Sequence, residues 1–431
     1  MNSENLKFDA IVIGGGIAGL QAAIDLGDQG YKVAIIEKNP SIGGNMIRLS
    51  KVFPTLDCAS CITTPKMAQA AHHKNITLYT YTEVKKLSTK GNKYIVGAVK
   101  KPRFVDEDKC IGCRQCEINC PVLVPDPEQG NFVAKKAISI PFSNAIPQIA
   151  YLDIQWCMLC GKCAKVCPKD AVDYFQKPIN MEFESDVVIM ATGFKLTSLA
   201  DKRQYGQGKL KNVITSLQME RLLAPHGPYN RVLRPSDGKE PESIAFIQCA
   251  GSRDKSMGIE YCSRICCMYS IKQAMLLSGA LPLADLTIYN MDIRAFGKGY
   301  EQFYQNAMAM GIEFVRAKVA YLTQGEEDKV IVHFEDQTTG EKMQREHDLV
   351  VLALGAIPEM DNLEEFQGVS CGYDNFIHSI NPNIDPALLG KQCIYGAGCC
   401  IGPKDIVDTI SEAGNAAMQA SIFLARKKEE K

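Results

Sequence analysis

The 431-residue chain has a single tryptophan, Trp156, only six histidines and almost no net charge, 48 lysines and arginines standing against 49 aspartates and glutamates. That balance leaves no basic footprint for nucleic acid or for an anionic membrane surface. Long apolar runs are also missing. The most apolar stretches, Asp186-Val-Val-Ile-Met-Ala-Thr192 and Leu349-Val-Val-Leu-Ala-Leu-Gly355, have the length of strands and are too short to span a bilayer. The polar N-terminus leads directly into a strand and shows no signal-peptide pattern. A cytoplasmic protein is therefore expected, meeting the inner face of a membrane only through partner subunits. What the chain has in excess is cysteine. Eighteen cysteines in a long chain of 46% hydrophobic content are not disulfide staples, and metal or redox chemistry is the better reading.

Residues Phe8 to Glu37 carry a nucleotide-binding signature in its full order: strand, Gly14-Gly15-Gly16-Ile-Ala-Gly19, a helix from Leu20 to Gly30, a second strand, and a terminal acid. The first motif glycines let the backbone approach a pyrophosphate at a helix N-terminus, and Gly19 allows close helix–strand packing. Glu37, 18 residues after Gly19, is placed to accept both ribose hydroxyls. Lys38 follows it, and then the paired glycines Gly43-Gly44, which resemble the loop that passes over the flavin in two-dinucleotide flavoproteins. On that resemblance Val84 ends a strand at the adenine, and Ala191-Thr192-Gly193 is the turn returning the chain to an FAD domain. Gly398, followed by a helix from Asp405 to about Leu424 that includes Ile406, lies at the flavin pyrimidine. The helix dipole there favours negative charge on the ring. The usual Gly-Asp is replaced by Gly398-Cys399.

Between these pieces lies an internal repeat. Cys110-x2-Cys113-x2-Cys116-x3-Cys120-Pro121 recurs 47 residues on as Cys157-x2-Cys160-x2-Cys163-x3-Cys167-Pro168. This is the two-cluster ferredoxin pattern, in which the fourth cysteine of each run ligates the other cluster. One [4Fe–4S] cluster would take Cys110, Cys113, Cys116 and Cys167; the other Cys157, Cys160, Cys163 and Cys120. Zinc also accepts four thiolates, but it explains neither the third evenly spaced cysteine nor the following proline. Trp156 reads as a packing residue.

A second βαβ pattern begins at Ser243-Ile-Ala-Phe-Ile-Gln-Cys249, continues as a helix from about Cys262 to Gly279, and closes on Leu286-Thr-Ile-Tyr289. A second dinucleotide loop belongs after its first strand. Cysteines stand there instead: Cys249, Cys262, Cys266 and Cys267. Their spacing matches no simple zinc or ferredoxin expression, so it admits both a metal cluster and buried structural thiols. The helix N-terminus, Arg253 and Arg264 would favour thiolates.

Glu242 to Asp254, Tyr261-Cys-Ser-Arg-Ile-Cys-Cys-Met268, Phe53-Pro-Thr-Leu-Asp-Cys58-Ala-Ser-Cys61-Ile-Thr-Thr-Pro-Lys-Met67 and Gly402-Pro-Lys-Asp-Ile-Val-Asp408 closely resemble the A subunits of heterodisulfide reductase. They resemble equally the A subunit of the quinone-interacting membrane-bound oxidoreductase, toward which chain length, Asn212-Val-Ile-Thr215, Met219-Glu220-Arg221 and Val232 to Gly238 lean. The resemblance implies a third [4Fe–4S] cluster on Cys249, Cys262, Cys266 and Cys267 beside FAD, with Lys272 near the flavin ring; without it Lys272 is an exposed helix lysine.

The implied protein is an α/β, thioredoxin-reductase-like flavoprotein with two dinucleotide-binding domains and an inserted two-cluster ferredoxin domain. Its FAD domain would comprise residues 1–100, 179–240 and 346–431, the ferredoxin insert 101–178 and the cysteine-bearing βαβ domain 241–345. The implied activity is oxidoreductase: electrons pass between clusters and FAD toward partner subunits of quinone, sulfate or thiol–disulfide metabolism, with bifurcation or confurcation at the flavin. The competing expectation is an NAD(P)H-dependent flavin reductase using Cys58 and Cys61. That pair reads either as a flavin-adjacent dithiol or as packed residues shaping the pocket. Cys371, Cys393, Cys399 and Cys400 read as small buried residues, His72-His73 as solvated, and the tail from Arg426 as a frayed helix end.

Overall fold

The apolar run Ala10–Ile13 is buried at every position, as a strand covered on both faces must be, and it is the middle of the first sheet. A computed structural model describes residues 5–198, 202–359, 365–390 and 393–429. The first sheet is parallel throughout, in the order Ile394–Gly396, Val187–Met190, Ala10–Ile13, Val33–Ile36, Ile76–Tyr79. The helix Ile17–Asp28 and the long C-terminal helix Ile406–Glu429 pack together against it. Ala413, Ala416, Ala417 and Ala420 share one helical face and are fully buried there, small enough to let the two helices approach closely. The C-terminal helix does not fray at Arg426. Lys427 pairs with Asp186 at 2.5 Å and Lys428 lies over the Tyr31 ring, which holds the last turns down.

The second sheet has seven strands, in the order Val213–Thr215, Leu349–Leu354, Ser243–Ala250, Asp285–Asn290, Glu313–Gln324, Val330–Asp336, Lys342–His347. The first five are parallel and the last two fold back antiparallel. The helix Cys266–Ala280 makes the crossover from Ser243–Ala250 to Asp285–Asn290. Its start lies four residues later than the sequence pattern suggests, because Arg264 takes a left-handed φ of 61° that no helix continues through.

A smaller sheet, Asn5–Lys7, Ile179–Ser185, Lys93–Lys100, Thr82–Lys90, joins the two halves of the chain. Ile179 pairs with Lys100, so the ferredoxin-like insert leaves and re-enters the fold at one rung of an antiparallel pair. Its ends are thus brought together by the host, which makes so long an insertion cheap. The insert carries its own small core, including Val105, Ile138, Ile140, Ala150 and Leu152, with Cys120 and Cys163 buried in it. It is also tied to both neighbours: Glu128 receives two hydrogen bonds from Arg48 (2.8 and 2.7 Å), and Gly130 O accepts from Gln218 Nε2 at 3.0 Å. His73 is not solvated as expected. Its ring packs under Gly27, sits 3.2 Å from Asp28 Oδ1 and accepts from Asn75 N. No helix among the described residues is long and apolar enough to cross a membrane.

Candidate functional site

The first glycine loop is built for a close backbone approach. Gly14 has φ +110°, and a Cβ there would lie 2.2 Å from Ala191 O; a Cβ on Gly19 would lie 1.9 Å from Gly14 O. Only glycine fits either position. Gly16 is the N-cap of Ile17–Asp28, with no side chain capping it and no acid in the first turn, so the helix N-terminus is open to an anion. Gly43 N donates to Gly15 O at 2.8 Å, which seats the Gly43-Gly44 loop over the first one. Glu37 is buried and accepts from Gly15 N (2.7 Å) and Asn39 N (2.8 Å); burial pushes its carboxyl above the usual range against those two bonds. Lys38 pairs with Glu359 at 2.7 Å.

Val84 sits near the start, not the end, of the strand Thr82–Lys90, paired with Ala98. Ala191 leads into the turn Thr192-Gly193, and the Thr192 hydroxyl is buried without a protein partner. An unsatisfied buried hydroxyl beside an open glycine cradle fits a polar ligand. Gly398 N donates to Glu412 Oε2 at 2.7 Å, and Lys404 holds the same carboxylate. An acid thus lies at Gly398 although none follows it in the chain. Ile406, the first residue of the last helix, meets Ile17, Met46, Val52 and Ala59 in a small apolar cluster.

Next to this cradle the second domain assembles its thiols. The strand Ser243–Ala250 breaks register between Ile247 and Ala250, where Cys249 adopts φ 55° and Gly251 φ 97°. Cys266 and Cys267 are the first two residues of the crossover helix and are buried; Cys249 and Cys262 are half-buried. Cys249 and Cys262 both act on the Cys266 and Cys267 thiols, and Cys267 acts on Cys266. Burial, then the neighbouring sulfurs, pushes Cys266 well up and Cys267 up to about 11, and Cys249 rises through burial against the Arg253 charge. The expectation that the helix N-terminus and arginines favour thiolates is corrected at Cys249, Cys266 and Cys267, where burial is the largest effect. Arg264 N donates to Cys262 Sγ at 3.3 Å. The same bond, at the same distance, runs from Leu159 N to Cys157 Sγ in the ferredoxin repeat, again with a left-handed residue (φ 53°) as donor.

Lys272 is not an exposed lysine. It is 1% exposed, donates to Lys51 O at 2.9 Å, and forms an ion pair with Glu220, itself 2% exposed. Glu220 also accepts from Ser50 N (2.9 Å), Ser50 Oγ (2.7 Å) and Gln273 Nε2. Burial alone would raise its carboxyl, but Lys272 and these donors hold it below the usual range. Burial pulls Lys272 down against the Glu220 charge. With every neighbour of Glu220 donating, the pair is ionised. Glu220 enters the sequence only within the Met219-Glu220-Arg221 resemblance, and its ion pair is not legible there because a lone acid in a short helix has no local signature of burial.

In the insert, Cys110, Cys113, Cys116 and Cys167 line one cavity. Cys163 feels the charges of Cys157 and Cys120, and Tyr174, which meets the Cys163 thiol at 2.9 Å, feels those of Cys163, Cys157 and Cys160. Cys116 in turn feels the charges of Cys110, Cys113 and also Cys163. Cys113 and Cys160 are exposed, and so is Trp156 at 57%, which packs against little. Cys371 is exposed too, whereas Cys393, Cys399 and Cys400 are buried. Cys58 and Cys61 lie at the start of the helix Ala59–His72, Cys58 half-buried and Cys61 exposed. The Cys61 thiol, more than any other group, lowers the Cys58 pKa.

Residues 9–50 match the family model described as an FAD binding domain, and residues 109–171 match a 4Fe-4S dicluster domain. The iron-sulfur A subunit of the CoB–CoM heterodisulfide reductase of Methanocaldococcus jannaschii is 44% identical over 421 residues, 96% of this chain and 64% of that protein. The A subunit of the H2:CoB–CoM heterodisulfide,ferredoxin reductase of Methanothermobacter marburgensis is 41% identical over 97% of this chain and 64% of its own length. The chain thus spans just under two thirds of the length of these relatives. Among solved structures, thioredoxin reductase of T. acidophilum aligns with a TM-score of 0.55 at 16% identity, over 98% of this chain and 99% of that one. The bacillithiol disulfide reductase of Bacillus cereus aligns at 0.53 and 14%, over 97% and 99%. Both share the architecture of two dinucleotide-binding domains, here interrupted by the 4Fe-4S insert. With its glycine cradle, its crossed cysteine repeat and relatives matched along almost its whole length, the chain belongs to the family of heterodisulfide reductase A subunits.

Proposed function

We propose that the chain is the FAD- and iron–sulfur-bearing electron-transfer part of a heterodisulfide-reductase-type oxidoreductase complex. The observation that carries this reading is the junction of Cys249, Cys262, Cys266 and Cys267 with the buried Lys272–Glu220 pair, braced on Ser50 and Lys51 just beyond the Gly43-Gly44 loop. FAD supplies chemistry that exchanges two electrons as a pair or singly. The residues around it would do the rest: Gly14 to Gly19 seat the pyrophosphate, Glu37 the ribose, and the Lys272 ammonium stabilises negative charge on the ring.

A third [4Fe–4S] cluster on the four junction thiols is supported by their mutual proximity and by Arg264 N–H···Sγ geometry matching that of Cys157. Buried polar groups near them in the chain, both amide atoms of Gln248 and the Ser270 hydroxyl, lack protein partners, as groups facing a cluster's sulfides would. Two further clusters would take the crossed sets of the insert. Deprotonating such buried thiols costs free energy that metal binding has to supply, so assembly and iron loading are coupled.

Anaerobic purification tests the reading: about 12 iron atoms per FAD are expected from three clusters. Rapid bleaching of the flavin by NADH or NADPH alone would overturn it, since the loop Cys249 to Asp254 lacks the glycines of a second dinucleotide site. The lean toward a quinone-linked acceptor and a peripheral place at the membrane is a further proposal. It is supported by Asn212-Val-Ile-Thr215 and Val232 to Gly238, and gentle co-purification decides it. A haem-bearing membrane partner supports quinone, and a thiol–disulfide partner supports heterodisulfide. Bifurcation at the flavin belongs to the same proposal and requires crossed half-potentials in a dye titration.

A further inference from the structure

Two buried polar side chains of the second domain have no partner in the protein. Gln248 is 7% exposed, and neither its amide nitrogen nor its amide oxygen is bonded. Ser270 is fully buried, and its hydroxyl is likewise unbonded. A serine inside a helix often bonds back to the carbonyl four residues earlier, here that of Cys266, and Ser270 does not. Buried groups left in this state are costly to a fold, and a ligand that pairs with them accounts for their presence.

Their places in the fold point to one site. Gln248 continues the face of the strand Ser243–Ala250 on which Ile244 and Phe246 share a core with Met268, Ile271 and Ala274 of the crossover helix. The helix returns antiparallel to the strand, so the next position along that face meets the helix's first turn, which Cys266 and Cys267 open. The register break sets Gln248 and Cys249 together opposite Ala353, at the same strand end. Ser270 stands four residues after Cys266 and three after Cys267, on their face of the helix. A helical side chain tilts toward the N-terminus, which lays Ser270 over the turn that holds both cysteines.

The charged groups nearby are already committed. Arg253 pairs with Asp292 and stands 4.0 Å from Cys249 Sγ. The Arg264 guanidinium pairs with Asp408 at 3.3 Å, and its backbone N–H is what reaches Cys262. Neutral donors are then what remains to offset the negative charge of four thiolates in a dry site. We infer that Gln248 Nε2 and the Ser270 hydroxyl donate hydrogen bonds to the sulfur atoms of the third cluster and raise its reduction potential. The inference rests on the third-cluster reading given above. Sulfur there acts as acceptor, so the amide nitrogen and the hydroxyl proton are the ends that face it. Reduction adds one electron and one negative charge, and donors therefore stabilise the reduced form more than the oxidised one. Gln248 and Ser270 bind no iron; they set how readily the junction accepts an electron.

The test uses the full chain, loaded with FAD and iron and kept anaerobic, in a redox titration followed by low-temperature electron paramagnetic resonance. The signal to follow is the one that Cys266→Ser removes. Gln248→Leu should lower its midpoint potential by about 59 mV, a tenfold change in a one-electron equilibrium, and Ser270→Ala should lower it too. Both variants should keep the iron and FAD content of the wild type, because neither residue is a ligand. The two insert signals serve as internal references and should not move. An unchanged potential in whichever variant retains its iron overturns the inference. So does loss of about four iron atoms in both, which would make the two residues supports of the fold. A wild type with about eight iron atoms and no Cys266-dependent signal is distinguishable from these: it removes the third cluster itself, and the donor assignment with it.

Discussion

Replacing Glu220 with glutamine keeps the side chain's size and removes its charge, leaving the Lys272 ammonium 1% exposed and opposite a neutral amide. Breaking a buried ion pair from one side costs about 3–5 kcal/mol, because the remaining charge has no water to return to. The surroundings place this case inside that range. Three further donors, Ser50 N, Ser50 Oγ and Gln273 Nε2, converge on the carboxylate and would face the glutamine NH2 group. Native-state hydrogen exchange over Met268–Leu277 reads the local effect. At 1.4 kcal/mol per tenfold, exchange should speed up by about a hundred- to several-thousand-fold.

The double variant Glu220→Gln/Lys272→Met should recover most of the loss, since a neutral pair carries no stranded charge. Single variants costing under about 1 kcal/mol, or a double variant costing the full sum of the two, would refute the assignment of an ionised buried pair. The acid dependence has a definite sign. Glu220's carboxyl lies below its unfolded value of 4.5, so its contribution is complete at neutral pH. It is lost as pH falls below 4.5 through the folded value, and Glu220→Gln should abolish that acid-side loss. On the proposed flavin placement the same variant leaves a net positive charge by the ring and raises its midpoint potential, measured by anaerobic dye titration.

Crossed ligation in the insert predicts that Cys113→Ser and Cys167→Ser abolish the same low-temperature electron paramagnetic resonance signal, while Cys160→Ser and Cys120→Ser abolish the other; signals sorting by sequence repeat would refute it. Cys266→Ser should remove about four iron atoms per chain and leave both insert signals in place. Gly19→Val places a branched side chain where even a Cβ meets Gly14 O at 1.9 Å, and should yield protein without FAD by absorbance. His347, bracketed by Ser243 Oγ (2.8 Å) and Tyr289 OH (2.9 Å), is pulled down to about 4 by burial and by Arg345. The fold therefore gives up about 3 kcal/mol as pH falls from 6.5, the unfolded value, toward 4, and His347→Gln should flatten that part of a stability–pH profile.

The elements that could be read from sequence are those whose chemistry is local. Gly14, Gly16 and Gly19 announce a turn and a helix start within six residues, and the cysteine repeat specifies its ligand sets by spacing alone. Side chains whose role depends on a distant partner could not be read this way. Glu220 and Lys272 are 52 positions apart, and Glu412 reaches Gly398 from the second turn of the last helix. Trp156 and Cys371 look like core residues by type, but exposure is decided by what packs over them, and both stay largely open to solvent. The thiolate expectation at Cys249 failed for a related reason: Arg253 is visible in sequence, whereas the depth of burial that outweighs its charge is not.

On the proposed reading, the second βαβ unit serves a different ligand with the same architecture. A pyrophosphate site needs a short glycine turn that brings the strand end and the helix N-terminus together, with bare backbone N–H groups facing the anion. Here the strand ends at Ala250, just after left-handed Cys249, and the helix begins at Cys266, with the intervening loop folding back through left-handed Gly251, Arg253 and Arg264. The loop fills the region with side chains, and the first helical turn offers two buried sulfurs in place of open N–H groups. The helix dipole is unchanged: its positive end, which would face phosphate in a nucleotide site, here lies at thiols that would have to lose protons to bind the proposed cluster. A mutation that shortened the loop would not restore a nucleotide site, because Cys266 and Cys267 would still occupy the helix start. Restoring one would also require small residues at both positions and at Cys249. The site's chemistry is therefore set by a few side chains at one strand end, while the sheet and the crossover helix beneath them stay the same.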